Sequence, residues 1–230
     1  MEIDALNDRL NKKKLDNCYI LFGIDEMLIK EQVEHIINTA LSKDFMDLNL
    51  IRLDGMKLST ESFRNACETL PFFSDRKVVL VYRANFLRDK VDNENKSRYS
   101  FCEEYIKAVP SHCILIFYYV FDDKREKPSK KLKSLEKHCL MIKADKLKGE
   151  KLYKRVNSMF MDAGKDIGKV ELKFFCDSVE NNMQILKNEV DKLISYTEGR
   201  EIKRKDIEDM LPYKSEDDIF DLVDFISQKK

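Results

Sequence analysis

The sequence predicts an α/β domain, a parallel sheet flanked by helices, followed by a small all-α domain. Short apolar runs alternate with helical patterns through about residue 145, and this alternation favours a parallel sheet. The run at 111–121, SHCILIFYYVF, is apolar without alternation, which is typical of a strand buried on both faces. After residue 145 the strand signal ends and helical patterns follow.

The elements of the first domain follow in chain order. Residues 17–22, NCYILF, predict the first strand, and apolar residues at helical spacing predict a helix from Asp25. The later elements are a strand over 48–55, a helix over 58–69 capped by Ser59 or Thr60, a strand over 77–82, a loop and helix start over 89–100, the strand over 111–121, a basic amphipathic helix over 127–139 and a strand over 140–145. The first domain is therefore predicted at residues 1–145.

The second domain is predicted to be helical. Four amphipathic patterns fill residues 146–213, with Gly164 and Gly199 well placed to end two of the helices. A further amphipathic pattern begins at Ser215, a good N-cap residue. We expect residues 214–230 to be the start of a truncated third domain, with a terminal helix packed on the second domain as the alternative.

The composition excludes several functional classes. Forty-two basic and 42 acidic residues give a formal net charge of +0, so a nucleic acid or anionic membrane would have to be met by a local patch. The six cysteines are scattered without zinc-ligand spacing, and we expect buried free thiols, no metal and no cofactor. No stretch approaches the roughly 20 apolar residues that span a bilayer, so a cytoplasmic protein is expected.

The turn after the first strand is where a phosphate-binding loop would lie. Such a loop needs several glycines, a lysine and a Ser/Thr. Here Gly23 is followed by Asp25 and Glu26, whose carboxylates would repel a phosphate, and Lys30 lacks the neighbouring Gly and Ser/Thr. We therefore expect a degenerate loop that binds no nucleotide. The acids at 122–123, which end the fourth strand, are interpreted as turn residues, and no catalytic site is predicted.

A basic run at 122–137 is a weak candidate for nucleic-acid binding. Acidic residues dilute it and no aromatic residue is interleaved for base stacking, so a solvated helix face is favoured. The basic residues concerned are Lys124, Arg125, Lys127, Lys130, Lys131 and Lys133.

Residues 69–76, TLPFFSDR, form an unusual entry to the third strand. Adjacent side chains diverge on a strand or a helix, so Phe72 and Phe73 cannot easily face one core. Pro71 breaks the preceding helix and sharpens the bend. The spacing alone leaves two alternatives: an exposed apolar tip that anchors a partner, or a tip folded under a neighbouring helix.

Four stretches together resemble the delta subunit family of the bacterial DNA polymerase III clamp loader. They are YILFGIDEMLIKE at 19–31, the segment LDG…LPFFSDRKVVLV that ends at 81, NNMQILKNEVDKL at 181–193 and DDIFDLVDFI at 217–226. Their order along the chain is that of the family. The departure is in length, since the family carries a helical collar domain beyond this point.

The resemblance implies an AAA+-like fold and a non-catalytic subunit. Members bind the ring-shaped sliding clamp (beta) and open it for loading onto DNA during replication, while partner subunits handle the ATP. The family's clamp-binding element falls on Leu70, Phe72 and Phe73, with Pro71 between them. The implied partners are the clamp, the tau/gamma and delta prime subunits through the collar domain, and DNA in the assembled complex, with no membrane. The alternatives are an active AAA+-type nucleotide hydrolase or a DNA-binding module.

Overall fold

A computed structural model describes residues 1–123 and 125–211. Its first unit, Met1–Asp145, contains a five-stranded sheet in the order β2-β3-β4-β1-β5, in which all the pairs are parallel. The strands are β1 (Cys18–Gly23), β2 (Leu50–Asp54), β3 (Lys77–Tyr82), β4 (Cys113–Val120) and β5 (Leu140–Ala144). The predicted parallel α/β domain is thus confirmed.

One helix of this unit precedes β1, and the others lie between the strands along the chain. They are α1 (Ile3–Asn11), α2 (Glu26–Ala40), α3 (Met46–Asn49), α4 (Thr60–Glu68), α5 (Asn93–Ile106) and α6 (Leu132–Leu135). The N-caps follow the expected chemistry, because the side chains of Asp25, Ser59 and Asp92 accept hydrogen bonds from backbone N–H groups in the first turns of α2, α4 and α5.

The central strands are buried on both faces, so successive side chains serve two cores. Cys18, Ile20 and Phe22 of β1 belong to a cluster with residues of α4 and α5, such as Phe63 and Cys102. The alternate residues of β1 point to the opposite face, on which α2 packs against β1 and β4. The unalternated apolar runs of the sequence predicted that these strands are buried on both faces, and their side chains contribute to both cores.

Two features of the first unit differ from the sequence-based expectations. The helix expected over 127–139 is only Leu132–Leu135, because Asp89 engages the segment before it: the Asp89 carboxylate accepts from Ser129 Oγ (2.6 Å) and from the Lys130 amide (3.0 Å). Four of the six cysteines are buried free thiols, as expected, namely Cys67, Cys102, Cys113 and Cys176, but Cys18 and Cys139 form a disulfide, which was not expected. Tyr19 of β1 pairs with Leu140, the first residue of β5. The residues just before these two, Cys18 and Cys139, therefore lie side by side.

The second unit begins at Lys146 and is helical as far as it is described. Its helices are α7 (Gly149–Asp162), α8 (Lys169–Ser178), α9 (Met183–Tyr196) and α10 (Arg204–Met210). Gly164 and Gly199 follow α7 and α9 with φ values of 71° and 73°, the left-handed conformation of a helix C-terminal stop. Residues 214–230, expected to start a third domain, lie outside the described residues.

Candidate functional site

Sheet topology brings two connecting segments together at one edge of the first unit. β2 and β3 are parallel neighbours, with Leu50 opposite Val78. The segments that lead into them, 43–49 and 69–76, therefore meet at the edge formed by the strands' N-terminal ends. We call residues 70–73 the tip.

The tip exposes its large apolar side chains. Leu70 is 70%, Phe72 56% and Phe73 83% exposed, while Pro71 is half-buried. Helix α4 ends at Glu68, so the tip is a loop beyond the helix rather than its last turn. Of the two alternatives left by spacing, the structure has the exposed tip.

The tip is held from below by Asn49, whose side chain is fully buried. Its Oδ1 accepts from the Phe72 amide at 2.7 Å, and its Nδ2 donates to the Phe72 carbonyl at 2.8 Å and to the Phe45 carbonyl at 3.0 Å. The carboxamide thus bonds to both the N–H and the C=O of Phe72, as the backbone of a residue in a neighbouring strand would.

The base of the tip is tied down on both sides. Lys77, only 3% exposed, donates from Nζ to the Thr69 carbonyl at 3.0 Å, and its own amide donates to the His112 carbonyl at 2.9 Å. Burial lowers the pKa of the Lys77 amine. The chain is therefore fixed immediately before Leu70 and again where β3 begins.

A second set of apolar residues adjoins the tip. The Phe45 ring lies 6.0 Å from the Phe73 ring between centroids, and Phe45 and Leu48 are 37% and 56% exposed. Phe73 has a φ of 49°, a left-handed conformation that is uncommon outside glycine. Sequence reasoning missed Phe45, Leu48 and Asn49, although parallel pairing of the second and third strands would have placed the residues before them together.

The turn after β1 lies at the opposite edge of the sheet, and its backbone groups are directed to protein atoms. A Cβ on Gly23 would meet the Ala144 carbonyl oxygen at 2.0 Å, so this glycine is needed for the close approach of β5. The Gly23 carbonyl accepts from the Phe121 amide at 2.7 Å, and the Asp25 amide donates to the Ala144 carbonyl at 3.4 Å. Asp25 Oδ1 accepts from the Leu28 amide at 3.2 Å and so caps α2.

The charged residues near this turn pair with one another. Glu26 and Lys30 form an exposed ion pair of 2.9 Å one helical turn apart. Asp122 pairs with Arg88, whose guanidinium lowers the pKa of the Asp122 carboxyl. Asp123 Oδ1 accepts from the Arg125 amide at 2.7 Å. Asp123 thus has the local hydrogen bond expected of a turn residue, whereas the Asp122 carboxylate bonds to Arg88, 34 residues earlier in the chain.

The basic run has no common helical face. Lys124 lies outside the described residues, and Arg125, Lys127, Lys130 and Lys133 are exposed. The Lys131 amine has contacts inside the first unit, since its Nζ donates to the Arg88 carbonyl at 2.7 Å and lies 5.0 Å from the Tyr99 ring centre. Over residues 1–123 and 125–211, no cluster of three or more His, Cys, Asp or Glu side chains suits a metal ion, and none of the helices combines the length and apolarity of a membrane span.

Two curated proteins that are similar to this chain are both described as DNA polymerase III subunit delta. The DNA polymerase III subunit delta of Bacillus subtilis is 24% identical over 223 residues, which are 96% of this chain and 64% of that protein. A probable DNA polymerase III subunit delta of Aquifex aeolicus is 25% identical over 225 residues, 95% of this chain and 61% of that protein. The chain spans less than two thirds of the length of both.

Solved structures support the fold. The DNA clamp loader delta protein of B. subtilis superposes with a TM-score of 0.65 at 23% identity, covering 96% of this chain and 66% of that one. Domain III of the replication initiation protein DnaA of Thermotoga maritima superposes with a TM-score of 0.58 at 16% identity, and the match covers 90% of this chain and 88% of that one. A RuvB variant of the same organism superposes with a TM-score of 0.58 at 12% identity, and the match covers 90% of this chain and 64% of that one. An AAA+-like fold is thereby confirmed.

The family itself is established by sequence. The family model described as DNA polymerase III, delta subunit matches residues 19–145, more than half of the 230 residues and nearly all of the α/β unit. That range contains the sheet except for its first residue, Cys18, together with the turn after β1 and the tip. The chain belongs to the DNA polymerase III delta subunit family.

Proposed function

We propose that this chain is a non-catalytic clamp-loader subunit that binds the sliding clamp through Leu70, Pro71, Phe72 and Phe73. The exposure of Phe73, at 83%, is the observation that carries the proposal. A large ring held in water by a fixed backbone is typical of an interface anchor rather than of a core residue. Family membership supports the choice of the clamp as partner.

The proposed binding mode is insertion of apolar anchors into a pocket of the clamp. Leu70, Phe72 and Phe73 protrude from one short loop, and a few such side chains can supply most of an interface's binding energy. Binding at the tip would favour a clamp conformation with one interface of the ring weakened, which is the opening step. The tau/gamma and delta prime subunits, and DNA in the assembled complex, remain proposed partners through the family alone.

The proposal that the chain hydrolyses no ATP rests on the turn after β1. A phosphate site at a helix N-terminus needs backbone N–H groups that point at the ligand. Here the carboxylate of Asp25 occupies the N-terminus of α2, and the Asp25 amide is directed to the Ala144 carbonyl. A phosphate would have to displace a buried negative charge, since Asp25 is only 3% exposed. Isothermal calorimetry with MgATP should give no binding heat, and saturable Mg²⁺-dependent binding would contradict this part.

The test of clamp binding uses the sliding clamp of the same organism, immobilised on a sensor surface, without nucleotide. The wild-type chain should bind, and the double variant Phe72→Ala, Phe73→Ala should lose about 2 kcal/mol or more, roughly 30-fold in affinity. Met161→Ala is the matched control, because Met161 is a large apolar residue, 55% exposed, on α7. Undiminished binding by a folded double variant would overturn the site assignment.

A further inference from the structure

We propose that Asn49 is the positioning residue of the tip, holding the Phe72 peptide so that the rings of Phe72 and Phe73 are presented ready for a partner pocket. The proposal rests on the proposed function, because it concerns how the same tip binds the clamp. Asn49 itself is fully buried, so a bound clamp would not reach it while the tip keeps this conformation. Its effect on binding must therefore pass through the backbone that it holds.

The hydrogen bonds of Asn49 are unusually complete. A carboxamide has one acceptor oxygen and two N–H donors. The oxygen accepts from the Phe72 amide at 2.7 Å, and the nitrogen serves the carbonyls of Phe72 and Phe45 at 2.8 and 3.0 Å. One side chain therefore fixes both backbone polar groups of Phe72, which belong to the two peptide bonds on either side of it, and joins the tip to the segment that carries Phe45.

The conformation that is fixed is one the tip would not hold easily by itself. Phe73 has a φ of 49°, in the left-handed region that disfavours residues with a Cβ. Its ring and that of Phe72 are mostly in water, and turning such rings onto other apolar surface would lower the free energy. Phe45 and Leu48, both partly exposed, offer such a surface beside the tip. The Phe73 ring already lies against Phe45 on one side, with 6.0 Å between the ring centroids, and fixing the Phe72 backbone opposes any further turning of the two rings out of the solvent.

A preformed tip has a direct consequence for binding. Ordering a loop during association reduces affinity, and a loop already held in its bound conformation avoids that loss. The residues around Asn49 are arranged to hold it still. It ends α3 and is followed at once by β2, whose residue Leu50 pairs with Val78 of β3. The tip is thus attached through Asn49 to the sheet itself.

The experiment compares Asn49→Ala, Asn49→Asp and a matched control in the full chain. Asn181→Ala is the control, because Asn181 Nδ2 donates to the Leu147 carbonyl at 2.8 Å, a similar side-chain to backbone bond in the second unit. The aspartate variant keeps the size of Asn49 but places a carboxylate against two carbonyl oxygens. It tests the proposal if the alanine variant fails to fold. Hydrogen exchange at the Phe72 amide is measured by NMR, and affinity for the immobilised sliding clamp by surface binding.

The Asn49→Ala variant should show exchange at the Phe72 amide faster by at least about tenfold, and its clamp affinity should fall about tenfold, with helical circular dichroism unchanged. The aspartate variant should lose clamp affinity to a similar extent, and the Asn181→Ala control should change neither readout. Wild-type clamp affinity in a folded Asn49 variant, with binding still lost in the Phe72→Ala, Phe73→Ala variant, would overturn the positioning role alone. If the double phenylalanine variant also binds normally, the proposed clamp site fails instead. Unchanged exchange at Phe72 would overturn the positioning role in either case.

Discussion

The rings of Phe45 and Phe73 lie with their centroids 6.0 Å apart and their planes inclined by 30°. Phe45 ends a short 3-10 turn before α3, Phe73 lies in the tip, and the two segments lead into adjacent strands. A ring 37% exposed beside one that is 83% exposed makes Phe45 the edge of an apolar surface whose centre is the tip. The contact gives Phe45 two possible effects on binding, by its own area and by supporting Phe73.

Replacing Phe45 by alanine should weaken clamp binding less than truncating the tip does. We expect a loss of about 1 kcal/mol, roughly fivefold in affinity, because Phe45 is a peripheral residue with an aromatic contact. The immobilised-clamp assay measures this, with Met161→Ala as control. A loss as large as that of the Phe72→Ala, Phe73→Ala variant would mean that Phe45 is itself a main anchor.

Substitution of Gly23 should destabilise the first unit more than substitution of Gly164 destabilises the second. A Cβ at Gly23 would meet the Ala144 carbonyl oxygen at 2.0 Å, whereas one at Gly164 meets nothing within 4 Å. We expect Gly23→Ala to cost more than about 2 kcal/mol of unfolding free energy and Gly164→Ala about 1 kcal/mol, from its left-handed backbone alone. Urea unfolding followed by circular dichroism measures both, and equal effects would contradict the steric account of Gly23.

Asp25 should act as a helix cap. Replacement by alanine removes the bond from the Leu28 amide to Asp25 Oδ1 and should lower the free energy of unfolding by about 1 kcal/mol. Asp25→Asn keeps an acceptor oxygen and is the matched control, expected to stay close to wild type. Urea unfolding compares the three proteins. A stable alanine variant would show that the cap contributes little.

Acid should weaken the second unit through Asp206. The Arg200 guanidinium bonds both carboxylate oxygens, at 2.7 and 2.8 Å, and the Lys203 amide adds a third bond of 2.8 Å. Together they lower the pKa of Asp206 from 3.8 to about 2, with the bonds from Arg200 the largest cause. A lowered carboxyl pKa contributes stability that is fully present above the unfolded value and is lost as the pH falls through the folded value.

The difference in unfolding free energy between wild type and Asp206→Asn should therefore be constant from pH 7 to about 5 and shrink between about 4 and 2. Urea unfolding at several pH values measures this difference. Glu208→Gln provides the control, because Glu208 and Arg204 form a pair with both side chains more than half exposed, and such pairs contribute little. A difference independent of pH would contradict the role of the Asp206 charge.

The sequence was sufficient where structure depends on local patterns. The apolar runs at 17–22, 77–82 and 111–121 predicted three strands, and the cap of the helix that follows residue 58 was predicted at Ser59 or Thr60, of which Ser59 is the observed one. The prediction failed at 127–139, where Ser129 and Lys130, ahead of the short helix, donate hydrogen bonds to the carboxylate of Asp89, about 40 residues earlier in the chain. A distant partner of this kind leaves no periodic signal.

The candidate site shows the same limit. Divergence of adjacent side chains indicated that Phe72 and Phe73 could not share a core, but their exposure depended on what the fold placed beside them. Asn49 could not be connected to Phe72 from sequence, because 23 residues separate them and only the order of the strands brings them together. A polar residue ahead of a strand can cap a helix or bond within a turn, and neither role predicts a hydrogen bond to the backbone of a distant segment.

The tip and the turn after β1 lie at opposite edges of one sheet. β1 and β3 each have six residues, so the strands separate the two edges by about 20 Å. Substitutions usually act independently beyond roughly 10 Å. Changes at Gly23 or Asp25 and changes at Phe72 or Asn49 should therefore combine additively, which allows the tip to be altered for a new partner pocket without redesign of the opposite edge.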